Sequence, residues 1–357
     1  MKILEVKLMQ HTPMIHFQYD QYGATLRASE VKPKLDRFLL TKLGGDGGYE
    51  AGCEESKKNG WLVGKGDHPA LDYKMKFVAD EEAQLTDVKE NEIKKFPLLL
   101  ANNISGKNSS DNKTMYFSMH KRVMMYLYFR NEALYDKLQL SENLPYFFSN
   151  TNFGQTSDKG FGSFTACSIR EDDQKPVPII GRKFVDDELY MDICVEQGIS
   201  DRSGVYSFNT QECLFNVIKN FWRNLKKQIK NDENINTSEI GSMQSYIKQM
   251  ANEGTDRRPT PIIFKPISYL SKNESHPDKF DLHFSVYIML DRDMLQRLYH
   301  TKGLPVMFNR TRKISDINYA ISYIDKNFSF KNYSYKNIKC KRWLCKVGKE
   351  KINVLIF

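Results

Sequence analysis

From Ile3 to Met9 apolar and charged residues alternate, with Leu4, Val6 and Leu8 on one side and Glu5 and Lys7 on the other. Strand side chains point to opposite faces with period two, so this pattern predicts a half-buried strand. Thr12-Pro13 ends it, and Met14-Ile15-His16-Phe17 follows before a polar link to Gly23. The period then changes. Val31, Leu35, Phe38, Leu39 and Leu43 fall on one helical stripe. Ser29 is the expected N-cap, Pro33 falls in the first turn, and Gly44-Gly45 stops the helix. The glycine-rich, polar stretch from Gly44 to Gly60 predicts a long mobile loop. Tyr73 to Val78 predicts a strand, Asn102 to Lys113 a polar loop, and Phe164 to Ile169 another strand. The apolar run Lys121 to Phe129 fits strand or helix.

The second half repeats the alternation of types. Leu214, Val217, Ile218, Phe221, Trp222, Leu225 and Ile229 make the apolar face of a helix from about Thr210 to Lys230, with Asn209 and Glu212 as a capping box. NDENINTSEIGS has the composition of a disordered segment. After Arg257-Arg258-Pro259 come two strand-like runs, PIIFKPISYL and FDLHFSVYIML, then a helix around Ile314 to Lys326 and the apolar end INVLIF. A strand, a loop and a helix with a basic N-terminal half make half of a ferredoxin-like or RRM-like βαβ unit. The expected fold is α+β: two such domains in tandem, 1–165 and 166–357, with a glycine-rich loop and long loop insertions.

Composition narrows the function classes only modestly. The 357 residues are 40% hydrophobic and 27% charged, as in globular domains, and the net charge of +9 fits a polyanionic partner as readily as none. No apolar run approaches the roughly 20 residues of a membrane-spanning helix, and MKILEVKLMQ reads as a strand, not a signal peptide. The six cysteines form no C-x-x-C pair. A cytoplasmic protein with reduced thiols, no metal and no cofactor is expected.

The stretch with most chemical content is NFGQTSDKGFGSFT, Asn152 to Thr165. It lacks the G-K-[ST] of a Walker loop and opens a β-rich segment where a dinucleotide fingerprint would open a helix. Lys159-Gly160-Phe161-Gly162 matches the first four positions of an RNP1 motif, then Ser163 replaces the required aromatic. Two readings stay open: glycines that let backbone N–H groups approach a phosphodiester, or a turn with two phenylalanines in the core.

Three stretches together resemble the RAMP superfamily of CRISPR-associated RNA-binding proteins: the strand running into His11-Thr12-Pro13, the helix opening Leu26-Arg27-Ala28-Ser29-Glu30-Val31-Lys32, and Phe153 to Phe164, similar to a G-x-x-S-x-x-G-F-G-S-F loop. Length, loop position and Arg258-Pro259-Thr260-Pro261 are similar to the two-domain subunit at the crRNA 3′ end of a type III-B Cmr effector complex. The loop departs from its relatives in carrying Gln155, Thr156, Ser157 and Asp158 where arginines are usual. The resemblance implies a non-catalytic subunit that binds crRNA and target RNA among other effector subunits. Arg27, Lys32, Lys34 and Arg37 would neutralise phosphates; Gly154, Gln155, Ser157, Lys159, Gly160 and Gly162 would approach the RNA backbone, and Phe161 would stack on a base. The rival expectation is a metal-independent crRNA-processing endoribonuclease using His16 or His11. Asp36 is expected to pair with Lys32 along the helix.

Overall fold

The computed structural model describes residues 1–16, 24–64, 69–79, 84–88, 115–120, 122–172, 175–178, 189–199, 211, 214–222, 262–272, 280–290, 333–335 and 338–347. The chain begins with β1 (Lys2–Gln10) and the short β2 (Met14–Ile15), followed by α1 (Ala28–Leu43) and α2 (Gly48–Lys58). A small hairpin, β3 (Leu62–Val63) and β4 (Ala70–Leu71), leads to β5 (Tyr73–Ala79). Strands β6 (Gln84–Val88) and β7 (Met115–Met119) join β2 in a separate three-stranded sheet. Then come β8 (Val123–Phe129), α3 (Glu132–Lys137), α4 (Leu140–Asn150), β9 (Phe164–Glu171) and β10 (Val177–Pro178). The first main sheet has the order β10-β9-β1-β8-β5, with every pairing antiparallel. Its four long strands run βαββαβ in sequence, and the fourth lies beside the first.

The alternation in β1 translates directly into packing. Leu4, Val6 and Leu8 are fully buried with Met125, Leu127 and Phe129 of β8, under Val31, Leu35 and Leu39 of α1 and Leu144 and Phe148 of α4. Each such side chain contributes about 1.5–3 kcal/mol of apolar burial. The ambiguous run before Phe129 is a strand, because its buried residues alternate strictly from Val123. Its other face turns away from the helices and carries Met124, Tyr126 and Tyr128, all part-exposed.

Three local expectations are corrected in the first helices. Arg27, not Ser29, is the N-cap of α1, and no side chain caps the helix there. Glu30, at the position from which a capping-box carboxylate reaches back to the N-cap, accepts a bond from the backbone N–H of Gly154 instead. Pro33 therefore sits in the second turn, on the exposed side. The stretch expected to be a long loop from Gly44 to Gly60 holds a short 3-10 turn (Gly45–Gly47) and all of α2. Gly52 serves contact between backbones: a Cβ there would lie 1.8 Å from the Leu40 carbonyl oxygen of α1.

The second main sheet contains β11 (Leu189–Ile199), β12 (Ile262–Lys272), β13 (Phe280–Leu290), β14 (Tyr333–Tyr335) and β15 (Ile338–Val347). Its order is β12-β13-β11-β15-β14, again antiparallel. With residues 214–222 helical between β11 and β12, its four long strands take the same spatial order as those of the first sheet. The mixed α+β class is as expected. The sequence division at 165/166 falls inside β9, which pairs with β1 as part of the first sheet. The expected loop from Asn102 to Lys113, the capping box at Asn209, the disordered segment, Arg258 to Pro261, the helix at Ile314 and the C-terminal end lie outside the described residues.

Candidate functional site

The glycine loop is stitched to the turn that follows β1. The N–H of His11 donates to the Ser163 carbonyl (2.8 Å), that of Gly162 to Pro13 (2.9 Å), and that of Gln155 to Ile15 (2.8 Å). The Thr12 hydroxyl donates to the Gly160 carbonyl at 2.7 Å and accepts from the N–H of Ser163 at 3.0 Å. Gly162 has a φ of +62°, and a Cβ there would stand 1.9 Å from the Phe153 carbonyl oxygen. Only glycine satisfies both demands. The Thr-Pro turn and the glycine loop are thus two halves of one backbone lock.

The loop also joins the two main sheets. The Asn152 amide donates to the Ser157 carbonyl (2.8 Å) and the Phe264 carbonyl of β12 (2.7 Å). Ser163 Oγ donates to the Pro266 carbonyl (2.6 Å). Lys265, with 0% exposure, donates its ammonium to the carbonyls of Thr151 and Phe164, both at 2.8 Å. Such an ammonium, ringed by carbonyl oxygens, retains hydrogen bonds that burial would otherwise strip away. His11 is equally buried. The N–H of Ser268 donates to its Nδ1 (3.1 Å), which assigns the ring proton to Nε2, 2.7 Å from Thr165 Oγ1.

Each residue expected at the RNA takes a definite place. Lys34 meets the loop: its ammonium donates to the Asn152 carbonyl at 3.2 Å, lies 5.0 Å from the Phe153 ring centroid and is 3.9 Å from Glu30. Burial lowers the Lys34 pKa, and Glu30 opposes that shift. Arg27, half-buried, sits at the same end of α1. Lys32 turns elsewhere, to Asp36 (2.6 Å), the Leu71 carbonyl (2.8 Å) and the face of Tyr73, so the expected Lys32–Asp36 pair is present. Arg37 lies over the Tyr49 ring of α2 at 4.7 Å. Lys159 pairs with Asp158 and lies 4.9 Å from the Trp222 ring centroid. Gln155 and Ser157 are half-buried in the loop.

Two features of the expected contact are corrected. Phe161 does not face outward: it has 0% exposure and stacks on Phe215 with ring centroids 3.9 Å apart and planes 5° apart. Its ring occupies the interior between the two halves, where no base can reach it. The backbone donors of Gly154, Gln155, Lys159, Gly160 and Gly162 are satisfied inside the protein, so they do not offer an anion cradle. Phe215, which holds the Phe161 ring, and Lys265, which holds the Phe164 carbonyl, lie so far along the chain that no local pattern announces them. His16 is 5% exposed at the end of β2.

Among the described residues no group of three His, Cys, Asp or Glu side chains is placed to hold a metal ion, and no helix is long and apolar enough to cross a membrane. No curated protein matches the sequence. Among the solved structures similar in part are apo Cmr1 from Pyrococcus furiosus (14% identity, 80% of this chain and 88% of that one, TM-score 0.38), a chain of the type III-B Cmr-beta complex bound to cognate target RNA (12%, 48% and 60%, 0.29), and a CRISPR protein from Archaeoglobus fulgidus (11%, 81% and 92%, 0.24). Residues 1–229 match the family model of the Cmr1 N-terminal domain, which spans β1, α1, the glycine loop and the helical segment 214–222. The chain is a RAMP-like Cmr protein and belongs to the Cmr1 N-terminal domain family.

Proposed function

We propose that this protein is a non-catalytic RNA-binding subunit of a type III-B CRISPR effector ribonucleoprotein, cytoplasmic and active in antiviral defence. It binds the 3′ portion of the crRNA and helps engage target RNA, leaving sequence to base pairing and reading backbone and shape. Its two sheets are tandem ferredoxin-like domains, divided after β10 instead of within β9. The observation that carries the reading is the meeting of the basic end of α1 with the glycine loop, through Lys34 on Asn152 and Glu30 on Gly154.

Side chains, not loop N–H groups, make the phosphate contacts. Arg27 and Lys34 come first, with Arg37 one turn further along α1 and Gln155 and Ser157 adding polar contacts. Lys159 joins on leaving Asp158. Lys32, held by Asp36 and Leu71, serves the fold. Both ring nitrogens of His11 are engaged, Nδ1 with Ser268 of β12 and Nε2 with Thr165 of β9, which supports a structural role over an acid–base one.

Filter binding of single-stranded RNA across a salt series tests the site. Arg27→Ala/Lys34→Ala is expected to weaken binding about tenfold and to reduce the salt slope by about 1.4, roughly 0.7 per lost phosphate contact. Unchanged affinity and slope would sink the site. Incubation with repeat RNA in EDTA tests the absence of chemistry: a discrete product that His16→Ala abolishes would overturn it.

A further inference from the structure

The first sheet has a second face that the glycine loop does not touch. On it, Tyr126 and Tyr128 project from β8, their rings nearly parallel (17°) with centroids 6.5 Å apart. β8 is the third long strand of this four-strand unit and lies inside the sheet, between β1 and β5. Lys76 stands directly across from Tyr126 and Lys74 across from Tyr128, both exposed on β5. Lys7 of β1 is across from Met124. The carboxylate on this face opposite Tyr126, Glu5, is ion-paired with Arg170 of β9. Aromatic rings therefore sit mid-sheet with ammonium groups beside them and the opposing charge already neutralised.

We propose that this face is a second single-stranded RNA site, on which Tyr126 and Tyr128 stack two successive bases while Lys74, Lys76 and Lys7 hold the flanking phosphates. Four-stranded sheets of this kind present same-face aromatics two residues apart to unpaired bases, and every base has a face to stack. Lysine on an edge strand also discourages strand pairing, which accounts for Lys74 and Lys76 but not for the tyrosines beside them. A protein-docking face is disfavoured because interface cores are depleted in lysine. The site deepens the RNA-binding reading and rests on it only for the class of ligand; its residues are separate from Arg27, Lys34 and the loop.

The test is fluorescence anisotropy of the full chain with labelled oligoadenylate and with an abasic oligomer of the same length and charge. Tyr126→Ala/Tyr128→Ala is expected to weaken oligoadenylate binding by about tenfold or more, within the roughly 5- to 150-fold per base that stacking supplies. Affinity for the abasic oligomer stays the same, and Tyr126→Phe/Tyr128→Phe retains the difference between the two ligands. Should the alanine variant unfold, Tyr126→Leu/Tyr128→Leu keeps bulk without a π-face and is expected to show the same loss. Lys74→Gln/Lys76→Gln is expected to weaken both ligands. Arg27→Ala/Lys34→Ala lowers both affinities but leaves their ratio intact, so failure at the loop and failure at this face are distinguishable. An unchanged ratio in the tyrosine variants would overturn the proposal, and if those variants also lost a co-purifying subunit the face would belong to a protein contact.

Discussion

The glycine loop and the open face of the first sheet are opposites. The loop has a conspicuous sequence, yet its phenylalanines, most of its backbone donors and its Asn152 amide turn inward, among them Phe161 to Phe215, Gly162 N–H to the Thr-Pro turn and the amide to β12. The open face has no motif, yet it turns two tyrosines and three lysines outward. A pattern of glycines can record how tightly backbones approach one another, and says less about which atoms meet a ligand. Gly162 belongs to the loop for the reason Gly52 belongs to α2: in each place a carbonyl oxygen occupies the space of a Cβ.

That contrast predicts large stability effects at the loop and small ones at the face. Gly162→Ala forces a positive φ and a clash with the Phe153 carbonyl, so it is expected to cost at least about 4 kcal/mol in urea unfolding or to abolish soluble protein. Phe161→Ala removes a fully buried ring and is expected to cost about 3–5 kcal/mol. A loss under 1 kcal/mol would mean that Phe161 is not packed between the halves and would reopen base stacking there. Lys265→Met keeps the stem but leaves the Thr151 and Phe164 carbonyls without their donor, at about 2–5 kcal/mol; a neutral result would indicate that water fills the role. On the open face, Lys74→Gln/Lys76→Gln is expected to shift stability by no more than about 0.5 kcal/mol while weakening RNA binding. A large loss of stability there would erase the contrast.

Asp36 gives a subtler effect, through pH. Burial pushes its carboxyl pKa up, with Lys32 pulling it back. The folded state therefore binds a proton more readily than the unfolded chain, whose carboxyl titrates near 3.9. Stability from this group rises as pH falls from neutral through the raised folded pKa and levels off below the unfolded value. Asp36→Asn is expected to remove that dependence, read as a flatter plot of unfolding free energy between neutral and mildly acidic pH. A slope unchanged by the substitution would place the titration elsewhere.

Local regularities were legible in the sequence and long-range ones were not. The alternation in β1, the stripe of α1 and the runs that became β12 and β13 each reflect burial against a neighbouring layer, and that periodicity is written in adjacent residues. The sequence of α2 reads as a loop because its glycines mimic one; the reason for Gly52 lies on α1, in Leu40. In the run before Phe129, the buried Val123, Met125, Leu127 and Phe129 alternate with side chains that are themselves apolar or aromatic. The hydrophobic contrast that reveals a strand is absent there, and with it any signal that singles out Tyr126 and Tyr128. At the loop, Lys34 meets the backbone of Asn152 while Lys32 and Arg37 turn elsewhere, and the direction of Phe161 and Phe164 depends on Phe215 and Lys265, which no spacing rule connects to them.

The bonds from Ser163 to Pro266 and from Asn152 to Phe264 span 103 and 112 residues. At a translation rate of about 5–20 residues per second, roughly 5–20 s separate synthesis of the loop from synthesis of the strand that receives it. During that interval the first sheet can close its own layers, but the loop lacks its partners on β12. A nascent chain halted before residue 262 would carry an unfinished seam, open to chaperones and proteases, so the lock that unites the two sheets also sets the moment at which the chain becomes safe from them.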